Sequence, residues 1–439
     1  MKNEVLYDYN QRKSKIYVMV SCFLAMFLEI YDFVVFGFLA GVLYKNYLSF
    51  TDEITGLIIS YMFFAVGFVF RPLGAFIFGH IGDKYGRKKA LVLSVSMMGT
   101  ASLCMFCLPP YASIGIISCY IIVVVRIVQG ISVGGEYSGA LIYAMEHNRE
   151  KKLGLICAGL QIGSCFGIML ATAVGNYVQH PTVPDYSWRF AFLIGFGLSM
   201  VGFFVRKKLR ETPIYEELIS TKNKIPLLEG FKQNKKKFLG GVMLAGSNTT
   251  NLYFYMMYLP NYLKTREGFL YENMGLLISG IMLFIVPVVG FLNDKYGRKN
   301  MLLTSKAFAM VGALLIISIF KSIPSANLLI FAIVMSALIV ALSMVTVNIY
   351  VLEMFPANYR FSCGGLSYSI GAAIFGGTTP MVCSLILEKF DQNIFYLGCY
   401  ILLISWGGFL GYSIIFSKKK LQKLQASKKP ENKGVQSVC

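Results

Sequence analysis

Gly79-His-Ile-Gly-Asp-Lys-Tyr-Gly-Arg-Lys-Lys89 returns 211 residues later as Gly290-Phe-Leu-Asn-Asp-Lys-Tyr-Gly-Arg-Lys-Asn300, with seven of the eleven positions identical. Each copy lies between the second and third long apolar run of its half of the chain. Seven identities at equivalent places are very improbable by chance. The repeat therefore predicts a fold of two homologous halves joined in parallel.

The composition around this repeat is that of a membrane protein. Of the 439 residues, 56% are hydrophobic and only 14% charged, with a mean hydropathy of +0.61, whereas a soluble domain carries about 25% charged residues. The apolar runs are long enough to cross a bilayer as helices, and they lack the strict alternation of an outer-membrane barrel. Soluble globular, disordered and nucleic-acid-binding classes are excluded. We expect an all-α membrane protein.

Apolar windows predict twelve transmembrane helices in two six-helix halves. They lie near 16–44, 54–78, 90–109, 113–145, 153–178, 188–206, 238–263, 272–291, 301–320, 324–352, 363–387 and 394–416. The predicted domains are an N-terminal half over 1–206, a cytoplasmic central loop over 207–237, a C-terminal half over 238–416 and a basic cytoplasmic tail over 417–439. No cleavable signal peptide is expected, because residues 1–15 are polar and the first apolar run is long enough to span.

The net charge of +19 is distributed unevenly between the two sides of this predicted topology. The segments predicted to be external carry five cationic residues, Lys45, Lys264, Arg266, Lys321 and Lys389, and most of the others cluster in segments predicted to be internal. The positive-inside rule then places both termini in the cytoplasm. The lipid bilayer, with its anionic inner leaflet, is a sufficient partner for this charge, and no nucleic acid is expected.

No pattern of an enzyme or a metal site stands out. Most of the ten cysteines lie in apolar runs, where Cys acts as a small hydrophobe. The three histidines are far apart in sequence and near predicted membrane boundaries. Without a phosphate-binding loop or a nucleophile motif, we expect a non-enzyme with no cofactor and no metal, driven by an ion gradient.

Six further motifs extend the repeat to a resemblance that covers nearly the whole chain. They are Glu29-Ile-Tyr-Asp-Phe33, Arg71-Pro-Leu-Gly74, Arg126-x-x-Gln-Gly-x-x-x-Gly-Gly-Glu136, Tyr258-Leu-Pro-Asn-Tyr262, Glu353-x-Phe-Pro356 with Arg360, and Phe375-Gly-Gly-Thr-x-Pro380. With the duplicated loop, the chain resembles the major facilitator superfamily and, within it, the metabolite:proton symporter family. That resemblance implies a multi-pass carrier of the bacterial inner membrane, working as a monomer on a small-molecule substrate and protons.

Glu29 and Asp32 are predicted to form a proton-coupling site. They lie about midway along the first span, where an ionised side chain costs roughly 2.5–3.5 kcal/mol, so both must face protein or water. Their spacing of three residues places them on one helix face. Two nearby carboxylates repel, which favours protonation of one. The alternative is that one acid only makes a permanent structural bond to Arg126 or to a backbone amide.

Arg126, in the middle of span 4, is predicted to bind a substrate carboxylate in a two-pronged geometry. The alternative is a fixed partner of Glu29 or Asp32. Glu136 is expected nearer the cytoplasm, in a gate with basic loop residues. Arg71 is expected to extend towards the same side, with substrate contact as the alternative.

Polar and aromatic side chains of both halves are predicted to line a central cavity. Aromatic rings attract quaternary ammonium groups, although packing alone is the alternative for each tyrosine. The predicted substrate-binding set is Arg126, Tyr31, Gln161, Asn251, Tyr255, Tyr258 and Tyr368, with Asn248 and Asn348 beside it. The duplicated loops carry Asp83, Arg87, Asp294 and Arg298, which the resemblance assigns to gating. Because the repeat offset carries Glu29 to Gly240 and Asp32 to Met243, we expect proton coupling in the N-terminal half alone.

The function predicted is proton symport of a small zwitterionic solute, such as proline or glycine betaine, by alternating access. The alternative is a proton-coupled importer of an organic acid: 2-oxoglutarate, citrate, a dicarboxylate or shikimate. A sensor that has lost transport is disfavoured by the intact Glu29, Asp32 and Arg126. Residues 418–439 are short, basic and without heptads, which argues against regulation through a coiled coil.

Overall fold

The computed structural model describes residues 2–48, 50–147, 152–180, 182–212, 215, 231–267, 273–319, 326–356 and 360–426. All regular secondary structure within these ranges is helical. Ten helices of the described residues are long and apolar enough to cross a membrane. The remaining two predicted spans, near 238–263 and 301–320, are also helical, so the all-α membrane fold is confirmed.

The N-terminal half consists of helices that pack closely around one another. They are α1 (Lys2–Phe38), α2 (Ala40–Tyr47), α3 (Glu53–Val69), α4 (Arg71–Tyr85), α5 (Arg87–Phe106), α6 (Tyr111–Ile114), α7 (Ile117–His147), α8 (Leu153–Val178) and α9 (Trp188–Lys207). Helix α1 packs along α8, and α5 packs against both α7 and α9.

The C-terminal half repeats this plan with more interrupted helices. They are α10 (Lys235–Tyr253), α11 (Leu259–Glu267), α12 (Met274–Tyr296), α13 (Arg298–Ile319), α14 (Ala326–Glu353), α15 (Gly365–Gly371), α16 (Thr379–Lys389) and α17 (Phe395–Ala426). Residues 417–426, predicted as tail, continue α17. The rest of the tail and residues 216–230 of the predicted central loop lie outside the described residues.

Several predicted spans are broken at places where proline removes a backbone donor. Helix α4 carries Pro72 in its first turn, where the N–H that proline lacks would have no partner within the helix. A π-helical turn, Phe254–Tyr258, precedes Pro260, and another, Ala372–Gly376, precedes Pro380. Such turns accommodate the hydrogen bond that the missing proline N–H leaves unmade.

The duplicated loop is the same one-residue turn in both halves. Gly86 separates α4 from α5 with φ of 108°, and Gly297 separates α12 from α13 with φ of 82°. These are conformations that residues with a Cβ rarely adopt. We call the end of the bundle that carries these two turns the basic end.

The two halves meet along a continuous interface. Helix α8 packs against α12 and α14, α15 against α4 and α7, and α16 against α3. Large apolar side chains on the outer faces are exposed, including Phe284 at 79% and Leu403 at 65%. Because these faces are apolar and continuous along long helices, they fit a lipid environment.

Candidate functional site

Glu29 pairs with an arginine that the sequence analysis placed elsewhere. Its Oε1 accepts a hydrogen bond from Arg71 Nη2, and both side chains are buried. The Arg71 guanidinium lies 4.7 Å from the ring centre of Phe33 and 4.5 Å from that of Phe68. The expectation that Arg71 extends towards the cytoplasm is therefore wrong, because an aromatic cage and a carboxylate hold it inside the bundle.

Asp32 turns away from Glu29, towards the helices behind α1. Ser102 Oγ of α5 donates to its Oδ2 at 3.0 Å, and Gly195 of α9 leaves room for Oδ1, since a Cβ there would clash with that oxygen. Both carboxylates are completely buried. Asp32 Oδ1 and Glu29 Oε2 have no hydrogen-bond partner within the described part of the chain.

Arg126 is held by neutral groups. Its Nη1 donates to Gln129 Oε1 at 2.8 Å, and it makes longer contacts of 3.4 Å with the carbonyls of Phe63 and Phe64. Its guanidinium lies 4.1 Å from the ring centre of Phe36. The alternative of a fixed ion pair with Glu29 or Asp32 is not the arrangement that the structure shows.

Glu136 belongs to a second buried ion pair. Its Oε1 accepts a hydrogen bond of 2.8 Å from Arg206 Nη2 of α9, and Arg206 Nη1 donates to the carbonyl of Leu91. All three residues lie in the N-terminal half. Glu136 was expected to meet basic loop residues; its partner Arg206 belongs to the basic cluster at the end of α9, the pair ties α7 to α9, and the gating role of Glu136 stays a prediction.

A polar layer joins the two halves in the middle of the interface. Asn348 Nδ2 of α14 donates to the hydroxyl of Tyr137 on α7, and Gln161 Nε2 of α8 donates to the same hydroxyl at 3.1 Å. Asn248 Nδ2 bonds Asn348 Oδ1 at 3.2 Å, and the ring of Tyr368 stacks on Tyr137 with centroids 5.0 Å apart. Four of these residues were predicted from the sequence. Tyr137, whose hydroxyl and ring contact three of them, was not predicted.

A cavity of about 390 Å³ lies between the halves at the end opposite the basic end. Its polar lining includes Tyr61, Gln179, Tyr258, Asn261, Tyr262, Ser384, Glu388 and Gln392. The rings of Tyr61 and Tyr258 lie 6.3 Å apart, and that of Tyr262 stacks on Tyr258 at 6.4 Å. We call this cavity the vestibule; among the described residues that line it, Glu388 is the charged one.

The predicted substrate-binding residues fall into three places. Tyr258 lines the vestibule, whereas Gln161 and Tyr368 belong to the polar layer. Tyr31 is directed away from the interface, since its hydroxyl donates to the carbonyl of Ala191 in α9 at 2.7 Å. Tyr255 and Asn251 are likewise buried inside the C-terminal half. The seven predicted residues, Arg126 included, therefore do not line a single cavity. Helical spacing predicts which side chains share a face of a helix, but not which neighbouring helix that face contacts.

The basic end is closed by contacts of the duplicated loops. Asp294 Oδ1 and Oδ2 accept hydrogen bonds from the N–H groups of Gly154 and Leu155, at 2.8 and 3.0 Å, so it caps α8 of the opposite half. Arg298 pairs with Glu353 within its own half. The Arg87 guanidinium donates to the carbonyl of Gly82 and lies 5.5 Å from the ring of Phe361 across the interface.

The N-terminus of a helix in the opposite half, and not a loop arginine, therefore satisfies the Asp294 carboxylate. The side chain of Asp83 lies outside the described residues, so its gating role stays a prediction.

Two six-helix halves around a polar interface, with ion pairs buried in one half and a cavity open at one end, define an α-helical membrane carrier of the duplicated type. The chain belongs to the Major Facilitator Superfamily, whose family model matches residues 22–380.

Named relatives are transporters. The chain is 29% identical over 387 residues to the shikimate transporter of Escherichia coli, covering 85% of this chain and 88% of the relative. It is 29% identical over 405 residues to the proline/betaine transporter of that organism, covering 87% and 80%. The alpha-ketoglutarate permease of E. coli is 30% identical over 421 residues, covering 94% and 96%.

Among solved structures, the proton:xylose symporter XylE superposes with a TM-score of 0.75 at 15% identity, covering 93% of this chain and 96% of that chain. The shared fold is therefore established by structure as well as by sequence.

Proposed function

We propose that the chain is a symporter that uses the proton gradient to accumulate a small zwitterionic solute, such as proline or glycine betaine, by alternating access. The observation that carries the proposal is the pair of carboxylates buried in α1, Glu29 and Asp32, each with one oxygen lacking a partner in the described structure. Such groups can bind a proton because burial disfavours the ionised form.

Proton binding and substrate binding then favour each other. When Glu29 takes up a proton, its ion pair with Arg71 is lost and the arginine is left without a counter-charge. A substrate carboxylate restores that balance through charge-assisted hydrogen bonds. Net movement of solute with the proton follows, because Arg71 has a counter-charge in the empty deprotonated carrier and in the carrier loaded with both proton and solute, but not in the carrier that is protonated and empty.

The vestibule favours a solute that also carries a cation. Tyr61, Tyr258 and Tyr262 present aromatic faces, and Glu388 is the charged group of the wall. Aromatic faces attract ammonium groups, and a negative wall repels dianions. By the positive-inside rule the basic end is cytoplasmic, so we place the vestibule on the outer face of a bacterial inner membrane.

A second candidate is import of an organic acid. Arg71 and Arg126 both lie 4.7 Å from the ring centre of Phe33. Two buried guanidinium groups beside one ring offer a cationic partner to each carboxylate of a dicarboxylate, and relatives named for shikimate and alpha-ketoglutarate lie at similar identity.

The test is uptake into proteoliposomes with an imposed proton gradient, using labelled proline, glycine betaine, 2-oxoglutarate and citrate side by side. We expect accumulation of proline or betaine that a protonophore abolishes. Accumulation of an acid alone would support the second candidate, and no accumulation of any of the four would refute this proposal.

The same assay tests the proton site. At least one of Glu29→Gln and Asp32→Asn is expected to abolish gradient-driven accumulation and keep substrate exchange, because only net transport requires a change of protonation. The double variant Glu29→Gln with Arg71→Gln controls for folding, since an unpaired buried charge costs about 3–5 kcal/mol. If both single variants accumulate substrate as the parent does, these carboxylates are not the site.

A further inference from the structure

Lys306 is a buried cation in the half where no ionisable counterpart of Glu29 was expected. It lies on α13, eight residues beyond the turn residue Arg298, and is completely buried. Its Nζ donates to Ser247 Oγ of α10 at 3.2 Å and to Ser343 Oγ of α14 at 3.4 Å. The neighbour on α17 is Gly408: a Cβ built on this glycine would lie 3.2 Å from Lys306 Cδ. Four helices therefore enclose this amine.

The groups that face Lys306 are neutral. Its contacts on α10 and α14 are serine hydroxyls, and on α17 it meets a glycine; no carboxylate contacts it among the described residues. The charged side chains of these helices lie towards the basic end: Lys299 is seven residues before Lys306, Glu353 is ten residues beyond Ser343, and Lys235, Lys236 and Lys237 begin α10 at least ten residues before Ser247. The other titratable side chains in the described parts of α10, α14 and α17 are Tyr253, Tyr350, Tyr396, Cys399, Tyr400 and Tyr412. A buried ammonium without a counter-charge is costly, and lysine, unlike arginine, can relieve that cost by losing its proton.

Polar side chains continue from Lys306 towards the vestibule end. Gly411 packs on Met243 and Gly408 on Ser247, so the antiparallel register of α17 and α10 brings Ser405 level with Asn251. One turn further, the hydroxyl of Tyr255 lies 3.9 Å from a Cβ built on Gly312 of α13. Both amide atoms of Asn251 and the hydroxyls of Ser405 and Tyr255 lack a protein partner within the described residues. Buried polar groups of this kind bind ordered water.

We propose that Lys306 is a second proton-exchanging residue of the carrier, located in the C-terminal half and supplied by water along Asn251, Ser405 and Tyr255. Its role in coupled transport rests on the proposed function, whereas the exchange of its proton does not.

The proton on Lys306 is linked to the interface through two neighbours. Ser247 precedes Asn248 on α10, and Ser343 lies five residues before Asn348 on α14. Those asparagines form the polar layer with Tyr137. An ammonium draws both hydroxyl oxygens towards α13, and a neutral amine holds them less strongly. Gain or loss of this proton therefore changes how α10 and α14 present their asparagines to the other half.

The test measures the separation of the two halves at the basic end without any substrate. Spin labels on cysteines at Lys89 and Lys299, in a background where the exposed Cys104, Cys107 and Cys399 and the last residue, Cys439, are serine, report the distance by double electron–electron resonance. We call this the labelled pair. It is compared across pH in the parent, in Lys306→Met, which is always neutral, and in Lys306→Arg, which is always charged.

We expect the two variants to hold the distance distribution at opposite ends of the parent's range, with Lys236→Met, an exposed lysine, matching the parent. If Lys306→Arg matches the parent at every pH, the residue is permanently charged and the proposal fails. If Lys306→Met matches the parent at every pH, it is permanently neutral and the proposal fails equally.

A milder variant covers the case in which these substitutions prevent folding. Ser343→Ala removes one hydroxyl that supports the ammonium, so the midpoint of the parent's pH response is expected to fall by about one unit. An unchanged midpoint overturns the proposal. Because no solute is present, these results are independent of whether the uptake assay finds a transported substrate.

Discussion

At the scale of single residues, the buried arginines are stabilised as much by aromatic rings as by carboxylates. Arg126 has Phe36 at 4.1 Å and Phe33 at 4.7 Å, and its charge-assisted hydrogen bond goes to a neutral amide. A guanidinium suits this setting because it is flat and weakly hydrated. It also keeps its charge available for a ligand, since no carboxylate is bonded to it in the described structure.

Arg126→Lys is expected to weaken substrate binding about ten- to a hundred-fold, because an ammonium cannot reproduce a two-pronged contact worth about 1.5–3 kcal/mol. Calorimetric titration of the purified protein with the solute found in the uptake assay measures this. Arg210→Lys, at an exposed position, is the control and should bind normally. Near-parental affinity in Arg126→Lys would show that Arg126 does not clamp the substrate.

At the scale of helices, close backbone contacts position the charged residues. A Cβ on Gly130 of α7 would overlap the carbonyl oxygen of Gly67, and one on Gly74 of α4 would overlap that of Ile131. Small residues that let membrane helices approach in this way contribute strongly to packing. They bring the phenylalanines of α1 and α3 against Arg126, whose Cζ lies 5.7 Å from the ring of Phe64.

Gly130→Ala is therefore expected to lower the thermal unfolding midpoint in detergent, since overpacking costs about 1–3 kcal/mol. Gly280→Ala is the matched control, because a Cβ on Gly280 has no heavy atom within 4 Å. That variant should unfold at or above the parental midpoint. Equal midpoints for the two substitutions would contradict the importance assigned to the contact between α3 and α7.

Asp294 and Asp52 provide a second matched pair at this scale. Asp294 caps α8 across the halves, whereas Asp52 accepts the N–H of Thr55 within its own helix, a bond that lowers the pKa of its exposed carboxyl. Asp294→Ala is expected to destabilise the state with a closed basic end by about 1 kcal/mol, because only that state contains the cap on α8. The distance distribution of the labelled pair is therefore expected to shift towards longer distances.

Asp52→Ala is expected to leave the distance distribution of the labelled pair unchanged. A shift of equal size in both variants would mean that loss of a helix cap, and not loss of a contact between halves, opens the basic end.

The sequence was sufficient to predict the transmembrane helices and the repeat, because the length of an apolar run and the duplicated glycine turn can both be read from local sequence. It failed where a partner comes from a distant helix. The choice of Arg71 for Glu29, and of serines for Lys306, depends on how helices rotate against one another. The apolar pattern of α13 also gave no sign of which neighbours its lysine would meet.

At the scale of the whole molecule, the hydroxyl of Tyr137 lies at a junction between the two halves. Tyr137 of the N-terminal half accepts hydrogen bonds from Gln161 of its own half and from Asn348 of the other. Alternating access requires that such a contact form in one state and break in another. Under the proposed alternating access, we expect the layer to act on the equilibrium between the two states as well as on stability.

Tyr137→Phe keeps the ring that stacks on Tyr368 and leaves two buried amides unsatisfied, at a cost of about 1–3 kcal/mol in the state with the basic end closed. We expect the long-distance population of the labelled pair to rise roughly ten-fold or more. Tyr143→Phe, which loses a hydrogen bond to Arg210 inside one half, should lower stability without changing the distance. An unchanged distribution in Tyr137→Phe would exclude the layer as a gate.

The two copies of the glycine turn exclude a side chain for different reasons. Gly86 combines a positive φ with the Glu211 carboxylate, which a Cβ would strike, while the carboxylate itself bonds the N–H of Arg87. Gly297 has open space around it, but its φ of 82° with ψ of 141° lies in a region that is essentially restricted to glycine, so its backbone alone excludes a side chain. The two identical glycines therefore exclude a side chain for different reasons: Gly86 is constrained by its neighbours as well as by its backbone, and Gly297 by its backbone alone.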